Sequence, residues 1–274
     1  MQYISEMQTG IATSFLHLTD LHLQYDASAK LNNWDTFQSF TATLDEATRR
    51  HPDVDYILIT GDISQDASMK SYQIFESIIR DCNIPVYTVP GNHDDAEYLR
   101  QIIDSSPVKA PTTLPHKGHT LILLDSTVPN RHRGQLNYSQ LRQLDTQLGK
   151  CDSELVLIAV HHPPVHINCK WLDRLSLLNG DHLLQIISNH DLNTLLLCGH
   201  IHQELDLNSR NMRILATPST CYQFKPYSAE AHLENSSQPT YRYVAVNKGG
   251  SIFTQTYSLD WYNADRFTIE AINW

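Results

Sequence analysis

Seven apolar runs punctuate the chain, and five of them end on the same few kinds of polar side chain. SFLHLTD (14–20), YILITGD (56–62), PVYTVPGN (85–92), TLILLDS (120–126), LVLIAVHH (155–162), NTLLLCGH (193–200) and RILATPS (213–219) are short and almost continuously apolar. Such runs fit strands covered on both faces. Stripes at helical spacing lie between them: Trp34, Phe37, Phe40, Leu44 and Ala47 in one, Leu141, Leu144 and Leu148 in another. These stripes face a core. The β-α-β order predicts an α/β layered fold, a two-sheet sandwich with helices outside. YRYVAVNKGGSIFTQTYSL predicts a terminal hairpin at about 241–259, turning on Lys248-Gly249-Gly250. SAEAHLENSSQPT (228–240) reads as a polar loop. No internal repeat or linker interrupts the chain, so residues 1–274 are expected to form a single domain.

The strand ends carry the chemistry. The first run ends in Asp20-Leu21-His22, the second in Gly61-Asp62, the third in Gly91-Asn92-His93. The fifth ends in His161-His162 and the sixth in Gly199-His200-Ile201-His202. Ligand sites of open α/β sheets form at the carboxyl ends of strands. Asp20 and His22 are two residues apart, as are His200 and His202, so extended chain would point each pair one way. The adjacent pairs Asn92-His93 and His161-His162 would point apart, leaving one member free for another task. Glycines before Asp62, Asn92 and His200 allow a tight turn and a close backbone approach. Taken singly, TDLH is a capped strand end and HHPP a polar turn. Taken together and in order, they predict one metal site.

Bulk properties narrow the partners. The 274 residues carry a formal net charge of −10 and 41% hydrophobic residues. The chain can bury a large core, and it lacks the basic footprint a nucleic-acid polymer would need. A small anionic substrate remains compatible with metal ions in the site. Five scattered cysteines without a CxxC fit a reduced, cytoplasmic protein. The stretch MQYISEMQTGIATSF has neither the basic patch nor the apolar core of a signal peptide. The longest apolar run, LVLIAV, is far too short for membrane insertion. Histidine stands out, with 15 copies, and it is the side chain most used for metals and for proton transfer near neutrality.

D-x-H, G-D, G-N-H-D, H-H-P and G-H-x-H, in that order from Leu16 to Pro218, resemble the motifs of the calcineurin-like metallophosphoesterases. TGDISQD, VPGNHD, WLDRLSLLN, LLLCGHIHQELDL and LATPSTCYQFKP are similar, more narrowly, to the bacterial class III 3′,5′-cyclic AMP phosphodiesterases. The loop PPVHINCKWLD departs from that subgroup in lacking a glycine, and the tail after Pro226 diverges. The resemblance implies a four-layer α-β-β-α sandwich. It implies one metal held by Asp20, His22, Asp62 and His202 and a second held by Asp62, Asn92, His161 and His200, with Asp62 shared. Mixed N/O donors suit iron, manganese or zinc better than magnesium or calcium, and the resemblance favours iron and manganese.

The implied reaction is hydrolysis of 3′,5′-cyclic AMP to 5′-AMP, with His22, Asp62, Asn92, His93 and His202 around the phosphate. His93, beside Asn92 but aimed elsewhere, is the expected catalytic acid for the leaving alkoxide. Asp94 would support His93 or, more in keeping with its residue type, cap the following helix. His162 is expected to pack behind the ligands, and Cys198 to be a small buried apolar residue. Asp125-Ser126 is either part of the site or a structural turn. Trp171, Tyr222 and Phe224 would either stack a base or simply pack. The remaining histidines, His17 and His132 among them, fall in no motif. Two other readings stay open: a broader phosphodiesterase acting on 2′,3′-cyclic nucleotides or other small diesters, and a scaffold that kept the fold without the chemistry. The intact motif set argues against the second.

Overall fold

A computed structural model describes residues 11–102, 112–116 and 118–260. The first ten residues, which carry most of the stretch read as lacking a signal peptide, lie outside the described residues. Two sheets form the centre. The strands are β1 (Ile11–Leu18), β2 (Tyr56–Ile59), β3 (Val86–Thr88), β4 (Thr112–His116), β5 (His119–Leu123), β6 (Leu155–Ala159), β7 (Asn193–Cys198), β8 (Leu205–Ser209), β9 (Met212–Ala216), β10 (Thr240–Asn247) and β11 (Ile252–Ser258). One sheet runs β11-β10-β1-β2-β3, the other β4-β5-β6-β7-β9-β8. The helices are α1 (Thr36–Arg50), α2 (Met69–Arg80), α3 (Ala96–Ile102), α4 (Tyr138–Leu148), α5 (Lys170–Asp173) and α6 (Gly180–Ser188).

The apolar runs form these strands because both of their faces are covered. Phe15, Tyr56, Leu58, Leu157, Leu197, Leu215 and Val244 pack in the layer between the sheets. Their neighbours Leu16, Ile57, Ile158, Leu196 and Ile214 join a second cluster with helix residues Phe40, Leu44, Leu141 and Leu144. Each fully buried aliphatic side chain stabilises the sandwich by roughly 1.5–3 kcal/mol. The helices are positioned by local signals. Asp35 caps α1 through Gln38 N, and Arg49 and Arg50 fall in its last turn, where the dipole favours cations. Asn137 and Gln140 form a capping box on α4. Trp34, read as part of the α1 stripe, lies before the cap and is buried through a bridge to Leu31.

Two strands escape the sequence pattern. β4 and β8 are antiparallel edge strands. β8, LDLNS, is largely solvent-exposed, so it carries no continuous apolar run. The hairpin expected at 241–259 is β10 with β11, and β10 pairs antiparallel with β1 inside the first sheet. Parallel pairing of β1-β2-β3 and of β5-β6-β7-β9 turns their carboxyl ends to common edges. The two edges meet: His200 N donates to the Asp20 carboxylate at 3.0 Å, and His161 Nδ1 lies 2.6 Å from Thr60 O. Among the described residues, no helix is long and apolar enough to cross a membrane.

His17 of β1 is among the polar side chains that interrupt the inter-sheet layer. It is fully buried, and burial, with the Arg242 charge, pushes its imidazole from 6.5 down to about 3. A depressed histidine contributes stability that is whole above the unfolded pKa and is lost as pH falls towards the folded one. The window is therefore pH 6.5 down to about 3, with a slope of up to about 1.4 kcal/mol per pH unit for one proton. In metal-free protein, His17→Gln should flatten the fall in urea-unfolding free energy between pH 6.5 and 4 by close to one proton's share. An unchanged slope would show that His17 titrates freely in the native state.

Candidate metal centre

The loops after the strands are not extended. Asp20, His22, Asp62, His200 and His202 all have positive φ, between 49° and 68°. The two-residue spacing therefore brings each pair together through left-handed turns, and the alternation expected of extended chain does not apply here. Left-handed non-glycine residues cost roughly 1–2 kcal/mol each. A ladder of main-chain bonds holds them: Asp20 N to Gly61 O at 3.0 Å, His22 N to Asp62 O at 2.9 Å, Leu23 N to Ile63 O at 2.9 Å. Two glycines make the approach possible. A methyl at Gly91 would land inside the Asp62 carboxylate, and one at Gly199 would strike Thr19 Oγ1 and the Asp20 carboxylate.

The structure brings all seven expected donors and His93 to one place. In one half, His22 Nε2 lies 3.2 Å from His202 Nε2 and 3.9 Å from Asp62 Oδ2, and His202 Nε2 is 3.5 Å from Asp20 Oδ1. In the other, His161 Nε2 lies 3.4 Å from Asp62 Oδ2 and 3.2 Å from Asn92 Oδ1. The His200 ring stands 5.2 Å from that of His161, and its Nε2 is buried without a hydrogen-bond partner. Donors about 2.0–2.2 Å from a shared ion sit roughly 3–3.5 Å apart. These separations, with Asp62 facing both halves, fit divalent cations. Asp20, His22, Asp62, His161, His200 and His202 are buried, while Asn92 and His93 are partly exposed.

The outer ring nitrogens are tied to carbonyls. His161 Nδ1 donates to Thr60 O at 2.6 Å and His202 Nδ1 to Tyr222 O at 2.7 Å, which leaves each Nε2 facing inward. Asn92 Nδ2 is 3.4 Å from His132 Nδ1, an orientation that turns Asn92 Oδ1 towards His161. Thr19 Oγ1 donates to Asp20 Oδ2 at 2.8 Å. His93 N donates to Asp62 Oδ1 at 2.9 Å, and its Nδ1 lies 3.2 Å from Gln65 O.

The electrostatics are those of a cation site. Burial raises the Asp62 carboxyl, but the facing His161 and His93 imidazoles outweigh it and hold it well below the usual range. Asp20 is likewise raised by burial and, on balance, lowered by His202. Burial lowers His161, yet Asp62 and Asp20 win and lift it to about 9. Burial drives His22 to about 3 and His200 well below its ordinary value. Two carboxylates held ionised in a buried centre favour divalent cations, and an ion bound at His161 Nε2 would release the proton that Asp62 holds there.

Other expectations resolve differently. Asp94 neither supports His93 nor caps α3. Its carboxylate accepts from Gly91 N, Ile63 N and Ser64 N and from the Tyr72 hydroxyl, so it clamps the β2 and β3 loops together. Asp95 caps α3 through Glu97 N and Tyr98 N. Asp125 closes a local turn on Thr127, while Ser126 Oγ lies 2.8 Å from His162 Nδ1. His162 Nε2 meets His132 O at 3.0 Å. Both of its ring nitrogens are engaged, so it packs against the His200 ring from behind. Tyr222 stacks on His22 and Phe224 lies 4.3 Å from His202, with Trp171 edge-on to Phe224. All three aromatics are buried behind the imidazoles and are not a free platform for a base. Cys221, which the sequence reading gave no role, places its Sγ within 4.8 Å of ring nitrogens of His22 and His202. Burial pushes its thiol up to about 12, and it bonds to Ser219 Oγ at 3.0 Å.

The sequence profile of the calcineurin-like phosphoesterases matches residues 13–204. The 3′,5′-cyclic adenosine monophosphate phosphodiesterase CpdA of Vibrio vulnificus is 36% identical over 245 residues, 89% of this chain and 89% of that protein. The protein of the same name from Escherichia coli K12 is 34% identical over 89% of each. A 3′,5′-cyclic-nucleotide phosphodiesterase of Nostoc sp. is 32% identical over 91% of this chain and 93% of its own. Among solved structures, a dimetal phosphatase from Danio rerio superposes with a TM-score of 0.63 at 18% identity, over 90% of this chain and 100% of that one. A purple acid phosphatase from yellow lupin gives 0.61 at 10% identity, over 90% and 53%. At these identities the structural likeness is one of fold.

Gly91→Ala should displace the Asp62 carboxylate and abolish tight binding of Mn²⁺, titrated calorimetrically with the metal alone. Gly149→Ala, where a methyl meets nothing closer than 3.4 Å, should bind as the parent does. Parental affinity in Gly91→Ala would mean that Asp62 takes no part in holding cations.

Proposed function

The chain belongs to the calcineurin-like phosphoesterase family, and on that premise we propose that it hydrolyses 3′,5′-cyclic AMP to 5′-AMP at the centre around Asp62. The observation that carries this reading is the position of the Asp62 carboxylate, facing His22 and His202 on one side and His161 and Asn92 on the other. Asp20, His22, Asp62 and His202 would hold one divalent ion, and Asp62, Asn92, His161 and His200 a second; the donor set suits iron, manganese or zinc, and the family resemblance favours iron and manganese. Bound there, the ions would supply an activated water and neutralise the phosphate oxygens. The substrate class rests on the relatives that act on 3′,5′-cyclic nucleotides.

The residues of the chain do the rest. His22, Asp62, Asn92, His93 and His202 surround the position of the phosphate. His93 Nδ1 is tied to Gln65 O, so Nε2 is the ring nitrogen left to carry a proton to the departing ribose oxygen. Asn92 and His93 are partly exposed, while the ligands beneath them are closed off, so substrate reaches the centre from their side. Five free cysteines accord with a cytoplasmic site of action, and residues 1–274 act as one catalytic domain. A panel of 3′,5′-cyclic AMP, 3′,5′-cyclic GMP, 2′,3′-cyclic AMP and bis(p-nitrophenyl) phosphate tests the reading. Release of 5′-AMP from the first, at the highest kcat/KM, is expected; preference for the 2′,3′-cyclic nucleotide would replace this reading with that of a broader phosphodiesterase.

Two variants separate the roles. Asp62→Ala should disturb both ions, so elemental analysis should find fewer than two bound; full occupancy would remove the sharing. His93→Ala should slow cyclic AMP hydrolysis by about 10²–10⁴-fold, the range for a lost general acid. Bis(p-nitrophenyl) phosphate should suffer far less, because nitrophenolate leaves without a proton, and metal content should stay near the parental value. Equal losses on both substrates with metals retained would assign His93 to the phosphoryl group instead.

A further inference from the structure

The layer between the sheets is apolar along most of its length and becomes polar at the end beneath the centre. There His17 of β1 spans two threonines. Its Nε2 lies 2.8 Å from Thr60 Oγ1, just beyond β2 in the first sheet. Its Nδ1 lies 2.7 Å from Thr217 Oγ1, just beyond β9 in the second. Arg242 of β10 donates from Nε to the same Thr217 hydroxyl at 3.1 Å and from Nη2 to Ala216 O at 3.0 Å, with Glu204 Oε1 at 3.2 Å balancing its charge. His17, Thr60, Thr217 and Arg242 are no more than 1% exposed.

A buried imidazole and guanidinium are expensive, and apolar side chains of similar volume serve stability as well or better. What hydrogen bonds add is direction. Apolar faces attract without fixing their relative slide, whereas hydrogen bonds fix separation and angle. The centre needs such registration. Asp20, His22 and Asp62 come from the first sheet, and His161, His200 and His202 from the second. Coordination tolerates about ±0.2 Å. Thr60 is the junction: its hydroxyl meets His17, its carbonyl accepts from His161 Nδ1 across the sheet gap at 2.6 Å, and Thr19 Oγ1, which also reaches that carbonyl at 3.3 Å, donates to Asp20. On the other side, Thr217 N bonds to Cys198 O at 3.2 Å, two residues before His200.

We propose that His17 is a positioning residue, the middle of a Thr60–His17–Thr217–Arg242 strut that holds the two sheets in register and thereby aims His161 and Asp20 at the metal ions. The inference rests on the dinuclear centre proposed above. It assigns a role to four residues that touch neither metal nor substrate.

The test uses full-length protein reconstituted with Mn²⁺, with affinity read by calorimetry of the metal alone, the exchange coupling of the ion pair read by electron paramagnetic resonance, and kcat and KM read at saturating Mn²⁺. Thr60→Val and Thr217→Val delete only a hydroxyl at nearly constant volume. Each should weaken at least one Mn²⁺ by about 10–100-fold, the usual effect of losing an outer partner of a ligand. Each should also reduce the coupled-pair signal and lower kcat while KM moves less than about twofold. Thr60→Ser and Thr217→Ser, which keep the hydroxyl, should restore all three readouts. His17→Leu should reproduce the valine variants, and should it fail to fold, the valine and serine pairs decide. Valine variants that fold with parental affinity and coupling would overturn the strut, as would serine variants no better than valine ones. Failure of the parent itself to bind two coupled ions would instead overturn the dinuclear centre.

Discussion

Everything in the site depends on one buried carboxylate that both sheets must reach. Asp62 stands at the end of β2, takes a hydrogen bond from His93 N, and faces imidazoles from the far ends of both sheets. A buried carboxylate of this kind is costly without partners, and the facing His161 and His93 imidazoles outweigh that cost and keep it ionised. Two buried, ionised carboxylates, Asp62 and Asp20, suit the pocket to cations, and the two-sheet architecture is what brings candidate donors to it from opposite sides.

The local backbone is arranged for that delivery. Five donors sit on left-handed turns, a conformation that side chains adopt only when their surroundings hold them. Main-chain bonds between the β1 and β2 loops hold Asp20 and His22, and the Asp94 carboxylate ties the β2 loop to the β3 loop. Behind the imidazoles, Tyr222, Phe224 and Trp171 fill the space that would otherwise let His22 and His202 rotate. Carbonyls at Thr60 and Tyr222 fix which ring nitrogen looks inward.

Much of this was legible in the chain because it is encoded locally. Interior parallel strands must be apolar on both faces, so β1, β2, β5, β6, β7 and β9 announce themselves as runs. Edge strands have one side open to solvent, and β8, LDLNS, therefore looks like a loop. The donor residues cluster in short motifs because each must leave the strand within a residue or two of its end. Asp94 and Asp95 show the limit: two adjacent carboxylates of equal capping propensity take different tasks, since only Asp94 lies within reach of Gly91 N and Ser64 N.

The sequence by itself determined the α/β class, the succession of the central strands along the chain and the polar residues that end them, because periodicity and residue chemistry are properties of short segments. Tertiary structure alone decided that the donors converge on left-handed turns, that the three aromatics serve the imidazoles, and that His162 is occupied at both nitrogens. It also decided that His17 links Thr60 to Thr217, 157 positions apart in the numbering. Those facts depend on which atoms meet across the gap between two sheets, and no local pattern in a chain records the position of its distant neighbours.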